Sequence, residues 1–247
     1  MSAPLFFVAA GSLAAVAPGD EVHLDGPEGR HAATVTRLAP GEELSVADGS
    51  GRVARGRVSA VGRGELDLVV EEIADEPQPE PRFTLVQALA KGDRDLLAVE
   101  VGTELGADEV VPWAAARSVV VWRGERAAKG HAKWERTVLA ATKQARRARI
   151  PAVAELADRS AVLERVRAAD LALVLHEEAT EPLVAVDLPA AGEVLLVVGP
   201  EGGISPQETE AFVAAGARAV RLGSTVLRTS TAGAAAIALL SGRSRWA

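Results

Sequence analysis

Short alternating or β-branched runs open the chain. They are Glu21-Val22-His23-Leu24, Ala33-Thr34-Val35-Thr36-Arg37-Leu38, Glu43-Leu44-Ser45-Val46 and Leu66-Asp67-Leu68-Val69-Val70. Gly26-Pro27, Pro40-Gly41, Asp48-Gly49-Ser50-Gly51 and Gly62-Arg63-Gly64 punctuate them, so each run reads as a strand and residues 1–72 as a small antiparallel barrel. Pro77, Pro79 and Pro81 then stand at alternate positions, a spacing no helix interior tolerates, and residues 73–82 read as a stiff linker. Beyond it the period changes. Apolar runs at 83–89, 109–112, 171–175, 194–198 and 219–222 alternate with helical stretches at about 94–105, 131–148, 159–168, 206–215 and 231–242. The continuous apolar runs Leu171-Ala172-Leu173-Val174-Leu175 and Val194-Leu195-Leu196-Val197-Val198 predict strands buried on both faces of a parallel sheet, hence an α/β domain over 83–247.

Two loops in that domain carry candidate chemistry. In Val198-Gly199-Pro200-Glu201-Gly202-Gly203-Ile204-Ser205-Pro206-Gln207-Glu208 a buried strand runs into a glycine turn and then a helix, with Ser205 as N-cap, Pro206 first in the helix and Glu208 closing a capping box. The glycines let backbone groups approach a ligand closely at the carboxyl edge of the sheet, where parallel folds place their ligands. The spacing is neither that of a dinucleotide fingerprint nor that of a phosphate-binding P-loop. The second loop, Leu222-Gly223-Ser224-Thr225-Val226-Leu227-Arg228-Thr229-Ser230-Thr231-Ala232, again follows a strand and leads into a helix of small residues. Arg228 stands just before the hydroxyl cluster, placed to meet a phosphate or a base, although an ordinary surface arginine fits the same position.

Composition narrows the possibilities. The chain has 247 residues, no Cys and no Tyr, so disulfides, thiolate metal sites and cysteine nucleophiles are excluded. The four His have no metal-ligand spacing, and no metal is expected. The start has no basic region ahead of an apolar stretch and no window is long enough to span a membrane, which makes a cytoplasmic protein the expectation. Charge is unevenly spread. Between Trp113 and Arg149 ten Lys or Arg stand against Glu125 and Glu135, about +8, within a chain of net charge −7, so the remainder carries about −15. A basic face on an acidic body suits a polyanion, with a solvated helix face as the plainer alternative. Arg117, Lys133, Arg136, Lys143, Arg146, Arg147 and Arg149 are the candidate phosphate contacts, and the RNA contacts if the polyanion is RNA. The Trp residues read as core or interface, and phosphate contacts should dominate over base stacking.

Gly-Pro-Glu-Gly-Gly-Ile-Ser followed about twenty residues later by Leu-Gly-x-x-Val-Leu-Arg-x-x-Thr-Ala resembles the knot-forming loops of SPOUT methyltransferases, and most closely those of the RsmE family. Lys91-Gly92-Asp93-Arg94, Thr103-Glu104-Leu105-Gly106, Pro112, Arg117-Ser118, Lys143-Gln144 and Arg147-Ala148-Arg149-Ile150-Pro151 extend the resemblance, and His31, Arg37-Leu38, Gly41 and Asp48-Gly49-x-Gly51 carry it into the N-terminal segment. The chain departs from the family pattern at Leu5, Val101, Ala140 and Ser230. The resemblance implies a PUA-like β-barrel followed by a SPOUT α/β domain with a trefoil knot. It also implies a homodimer that uses S-adenosyl-L-methionine (AdoMet) to methylate N3 of a uridine in 16S ribosomal RNA, within an assembled small subunit.

On the same basis the cofactor site comprises Leu175, His176, Gly199, Pro200, Glu201, Gly202, Gly203, Leu222, Gly223, Val226, Leu227, Arg228, Thr231 and Ala232. His176-Glu177-Glu178 fits a pocket wall or a solvated loop equally well. Uracil N3 carries a proton, so Arg228 is expected to orient the base or stabilise the charge left behind. Glu201 either accepts a proton or shapes the cofactor loop. Three alternatives stay open: a SPOUT enzyme acting on a transfer-RNA ribose hydroxyl, a non-catalytic RNA-binding module, and a generic nucleotide-binding α/β enzyme.

Overall fold

A computed structural model describes residues 3–246 as two compact units, one of residues up to 78 together with 142–150, the other of 79–141 and 151 onward. In the N-terminal unit, β1 (Leu5–Phe7), β2 (Glu21–Leu24), β3 (Glu43–Ala47), β4 (Arg52–Val61) and β5 (Leu66–Asp75) form a sheet ordered β1-β3-β4-β5-β2. Three of its pairings are antiparallel, but β1 joins β3 in parallel, against the all-antiparallel expectation. Phe6, Leu24, Leu44, Val46, Leu66 and Leu68 fill its core.

Two local expectations fail here. Ala33–Leu38 is no strand. Gly26-Pro27, expected to be a turn, instead starts the helix α1 (Gly26–Arg30) after its N-cap Asp25, and a π-helical turn over His31–Thr36 follows. Ala32 is buried while Val35 is 70% exposed, so helical packing of one small residue overrides the β-branched run. The turn closes on Arg37 in the left-handed region (φ 60°), with Leu38 N donating to Ala32 O. Conversely, the long strand β4 has no counterpart among the runs expected from the sequence, although its exposed Arg55 and Arg57 alternate with buried Ala54, Gly56 and Val58. Gly56 sits at a register shift against β5, where an added Cβ would lie 2.9 Å from Leu68.

The second unit is a seven-stranded, all-parallel sheet. Its strands are β6 (Arg82–Ala88), β7 (Glu109–Trp113), β8 (Ala152–Val153), β9 (Leu171–Leu175), β10 (Glu181–Pro182), β11 (Glu193–Val198) and β12 (Arg218–Arg221), ordered β10-β12-β9-β11-β6-β7-β8. Alternate side chains serve opposite faces. Leu85, Leu173 and Leu196 pack against α2 (Arg94–Glu104), α3 (Glu125–Gln144) and α6 (Thr229–Ser244). Val86, Val174, Leu195 and Val197 pack against α4 (Arg159–Ala168) and α5 (Pro206–Ala214). The two apolar runs of the sequence are thus buried on both sides, as their composition predicts.

Helix α3 begins six residues before its predicted start and ends at Gln144 rather than 148, so Arg147 lies beyond it. Arg146 stops it by taking the left-handed conformation (φ 53°), a place usually given to Gly. Helix α6 follows β12 in sequence yet packs on α2, β6 and β11. The 222–228 segment therefore crosses the carboxyl ends of β9 and β11.

Candidate active site

The carboxyl ends of β6, β9, β11 and β12 bring the two glycine loops together. After β11, an added Cβ on Gly199 would lie 2.7 Å from Ile204, and Gly203 takes φ +71°, so this tight turn admits little but glycine. Its exit is fixed by the predicted capping box: Ser205 Oγ accepts from Glu208 N, and Glu208 accepts from Ser205 N at 3.1 Å. Glu208 is buried and its other oxygen accepts from Ala116 N at 2.7 Å, which locks the 115–118 segment to the same loop.

Further ties hold the loop from three elements. Thr229 Oγ1 donates to Gly199 O at 2.6 Å, Arg94 pairs with Glu201 at 2.6 Å, and Arg117 donates to Gly202 O at 2.9 Å. Lys91 N also donates to Glu201, at 3.0 Å. Burial alone would raise the Glu201 carboxyl. Its own amide, the Arg94 guanidinium and the Lys91 amide outweigh that and hold it below the ordinary carboxylate range.

Two adjoining hollows lie over this edge. One of about 70 Å³ is lined by Leu175, His176, Glu177 and residues of the second loop, including Leu222, Gly223, Val226, Leu227 and Ala232. The other, about 400 Å³, is lined by Arg94, Glu177, Pro200, Glu201, Gly203, Val226, Leu227, Arg228 and Thr229. They share Glu177, Val226 and Leu227, and so make one cleft. Its walls are apolar at Leu175, Leu222, Val226 and Leu227, and Val226 is 75% exposed. The amides of residues 223–227 donate to no other group among the described residues.

A flat heterocycle needs apolar walls and backbone groups free to bond its edge. An amino-acid zwitterion and a sulfonium need carboxylates and amides. The cleft offers both, so the residues present fit AdoMet.

Of the expected cofactor residues, Leu175, His176, Pro200, Glu201, Gly203, Leu222, Gly223, Val226, Leu227, Arg228 and Ala232 line the cleft. Gly199 and Gly202 lie behind it, accepting through their carbonyls, and Thr231 Oγ1 donates to Arg228 O at 3.2 Å in the first turn of α6. His176 is held at the end of β9 by its amide on Val220 O, and its Nδ1 accepts from Glu178 N at 3.2 Å. Of the two readings open to His176-Glu177-Glu178, the cleft favours the pocket wall, since His176 and Glu177 both line it. Arg94 and Thr229 are site residues not expected from the sequence. The Lys91-Gly92-Asp93-Arg94 turn after β6 was the readable signal for the first of them.

The basic residues divide. Lys133 pairs with Asp93 at 2.8 Å, and Arg117 is spent on the glycine loop. Lys143 pairs with Glu28, and Arg149 donates twice to Glu76 O, both within the N-terminal unit. Arg146 and Arg147 are also engaged. Arg123, Arg126 and Arg136 are exposed, with no ion-pair partner among the described residues. No group of three or more His, Asp or Glu among the described residues could hold a metal, and no helix there is long and apolar enough to cross a membrane.

A parallel sheet whose carboxyl edge joins two glycine turns into a cleft fit for AdoMet, rimmed by arginines, defines an α/β RNA methyltransferase. Residues 76–241 match the RNA methyltransferase domain family, and residues 24–71 the RNA methyltransferase PUA domain family. Over 218 residues, 87% of this chain and 83% of the relative, the sequence is 50% identical to the ribosomal RNA small subunit methyltransferase E of Mycobacterium bovis. Over 231 residues, 90% of this chain and 88% of the relative, it is 29% identical to the protein of that name from Bacillus subtilis. The crystal structure of a ribosomal RNA small subunit methyltransferase E from Neisseria gonorrhoeae, bound to S-adenosyl methionine, matches with a TM-score of 0.85 and 28% identity over 98% of each chain. The chain belongs to the ribosomal RNA small subunit methyltransferase E family.

Proposed function

We propose that this protein transfers a methyl group from AdoMet to N3 of one uridine in 16S ribosomal RNA. The observation that carries this is the cleft: Thr229 and Gly199 join the two glycine loops into one surface, with Arg228, Arg94 and Glu201 on the rim, in a chain of this family. When bound, AdoMet supplies the electrophilic methyl carbon.

The chain's own residues do the rest. Backbone amides of 223–227 and the apolar walls bind and orient the donor, and Glu177 and Glu201 offer negative charge to its cationic groups. Arg228 orients the uracil and stabilises the negative charge left as the N3 proton departs. Of the two roles open to Glu201, the ion pair favours shaping the loop. A carboxylate held below its ordinary range and committed to Arg94 is a weak base at neutral pH.

The finer architecture belongs to the same proposal. Residues 1–72 serve as a PUA-like barrel that binds RNA and 83–247 as a SPOUT domain, with 73–82 between them; the strand β5 runs on to Asp75, so the connecting segment is shorter than its proline spacing suggests, and 142–150 groups with the N-terminal unit. A trefoil knot there is supported by the return of α6 from β12 to β6 and β11 past the 199–205 loop. The protein works in the cytoplasm as a homodimer, on RNA within the small subunit.

Mass mapping of ribosomal RNA from cells lacking this gene is the test. One uridine should lose one methyl group. An unchanged map, with a methyl missing from a transfer-RNA ribose, would redirect the activity, and failure of the purified protein to bind AdoMet would make it a non-catalytic RNA-binding module.

A further inference from the structure

Gln87 is the penultimate residue of β6, level with Val198 of β11 on one side and Pro112 of β7 on the other. It is 0% exposed, yet its Oε1 has no hydrogen-bond partner among the described residues. A buried amide oxygen left bare is costly, so something must repay it.

Its Nε2 donates to Ala88 O at 3.1 Å and to Thr229 Oγ1 at 2.8 Å. Rotating the amide by half a turn would set two carbonyl oxygens 3.1 Å apart, so the orientation is fixed by Ala88. A direction follows. Because Gln87 donates to it, the Thr229 hydroxyl has its proton free for Gly199 O, 2.6 Å away. Each donor in this chain polarises the next.

We infer that Gln87 is a positioning residue for the methyl donor, acting through Thr229 to set the Gly199–Pro200 peptide of the cofactor loop. This rests on the reading of the cleft as the AdoMet site. Gln87 itself does not line the cleft. Thr229, 7% exposed, does, and it is also the first residue of α6. One buried amide therefore fixes three things at once: the end of β6, the start of α6 and the start of the glycine loop. A loop set in advance loses less freedom on binding, which favours affinity.

The test is a double-mutant cycle with Gln87→Met and Thr229→Val, both close to the native volumes, in the full-length protein. AdoMet affinity is measured by calorimetry, and KM for AdoMet and for small-subunit RNA by methyl incorporation. Thr229→Val should weaken AdoMet about tenfold and Gln87→Met severalfold, with the KM for RNA within twofold of wild type. The double variant should match Thr229→Val alone, because both changes break one chain of bonds. Thr229→Ser, which keeps the hydroxyl, should recover most of the affinity lost in Thr229→Val.

Additive losses, or an equal rise in both KM values that tracks a fall in Tm, would overturn the inference in favour of general loosening. AdoMet affinities equal to wild type in folded variants would overturn it outright. Failure of the wild-type protein to bind AdoMet would instead remove the underlying reading of the cleft.

Discussion

Arg228 is the residue on which chemistry and structure bear most directly. It holds the N-cap position of α6 in extended conformation (φ −71°, ψ 154°), makes no side-chain cap, and lines the larger hollow beside Arg94. Its guanidinium has no ion-pair partner among the described residues, so the proposed function can draw on it. Arg228→Ala should keep AdoMet affinity within a few-fold and lower kcat by about 10²-fold or more, the scale for one lost donor to a developing charge. Unchanged turnover would remove it from the mechanism.

Asp95, one residue beyond Arg94 in α2, is buried, and burial pushes its carboxyl above the ordinary range despite the Ala90 and Leu96 amides it accepts from. The folded state then holds a proton that the unfolded chain has already released. Stability therefore falls as pH rises from the ordinary carboxylate range through the raised value, and the ionised group is a burden above it. Asp95→Asn keeps an oxygen for Leu96 N and removes the titration. Its urea midpoint should gain on wild type as pH rises above the ordinary carboxylate range; a gap between the two curves that does not change with pH would show that Asp95 does not titrate there.

At the scale of elements, local signals read well where a single segment decides its own structure. The start of α5 was written out by Ser205, Pro206 and Glu208, and the helix, its cap and its capping box are all present. What the residues could not show is that Glu208 also accepts from Ala116 N, because that contact spans 92 positions. Ser205→Ala should cost about 0.5–2 kcal/mol, the range for a lost N-cap. Glu208→Ala should cost more than Ser205→Ala, since it also strands buried donors; chemical denaturation of both variants decides the order. Ala33–Leu38 failed for the opposite reason, its β-branched residues being overruled by the burial of Ala32. The loops of the cleft are legible as turns and His176-Glu177-Glu178 as a candidate wall, but Arg94 and Thr229 join the cleft only through tertiary placement.

Across the whole molecule the acidic balance and the basic run are at odds, and the ion pairs show which charges count. Ten basic residues between 113 and 149 suggested one broad phosphate-binding face. Yet Lys133 is neutralised by Asp93 and Lys143 by Glu28, whereas Arg126 and Arg136 of α3 face solvent with no ion-pair partner among the described residues. A cation that meets a phosphate displaces a counterion condensed on the RNA, but one already paired must first give up its carboxylate, so these groups should differ in the salt dependence of RNA binding and not merely in affinity. Arg126→Ala and Arg136→Ala should each reduce the slope of log affinity against log salt by about 0.7–0.9, the yield of one phosphate contact. Lys143→Ala, which removes a charge that Glu28 already cancels, should leave the slope where it was. Filter binding to small-subunit RNA over a salt series measures all three. Equal loss of slope in the three variants would mean that Lys143 exchanges Glu28 for phosphate when RNA binds.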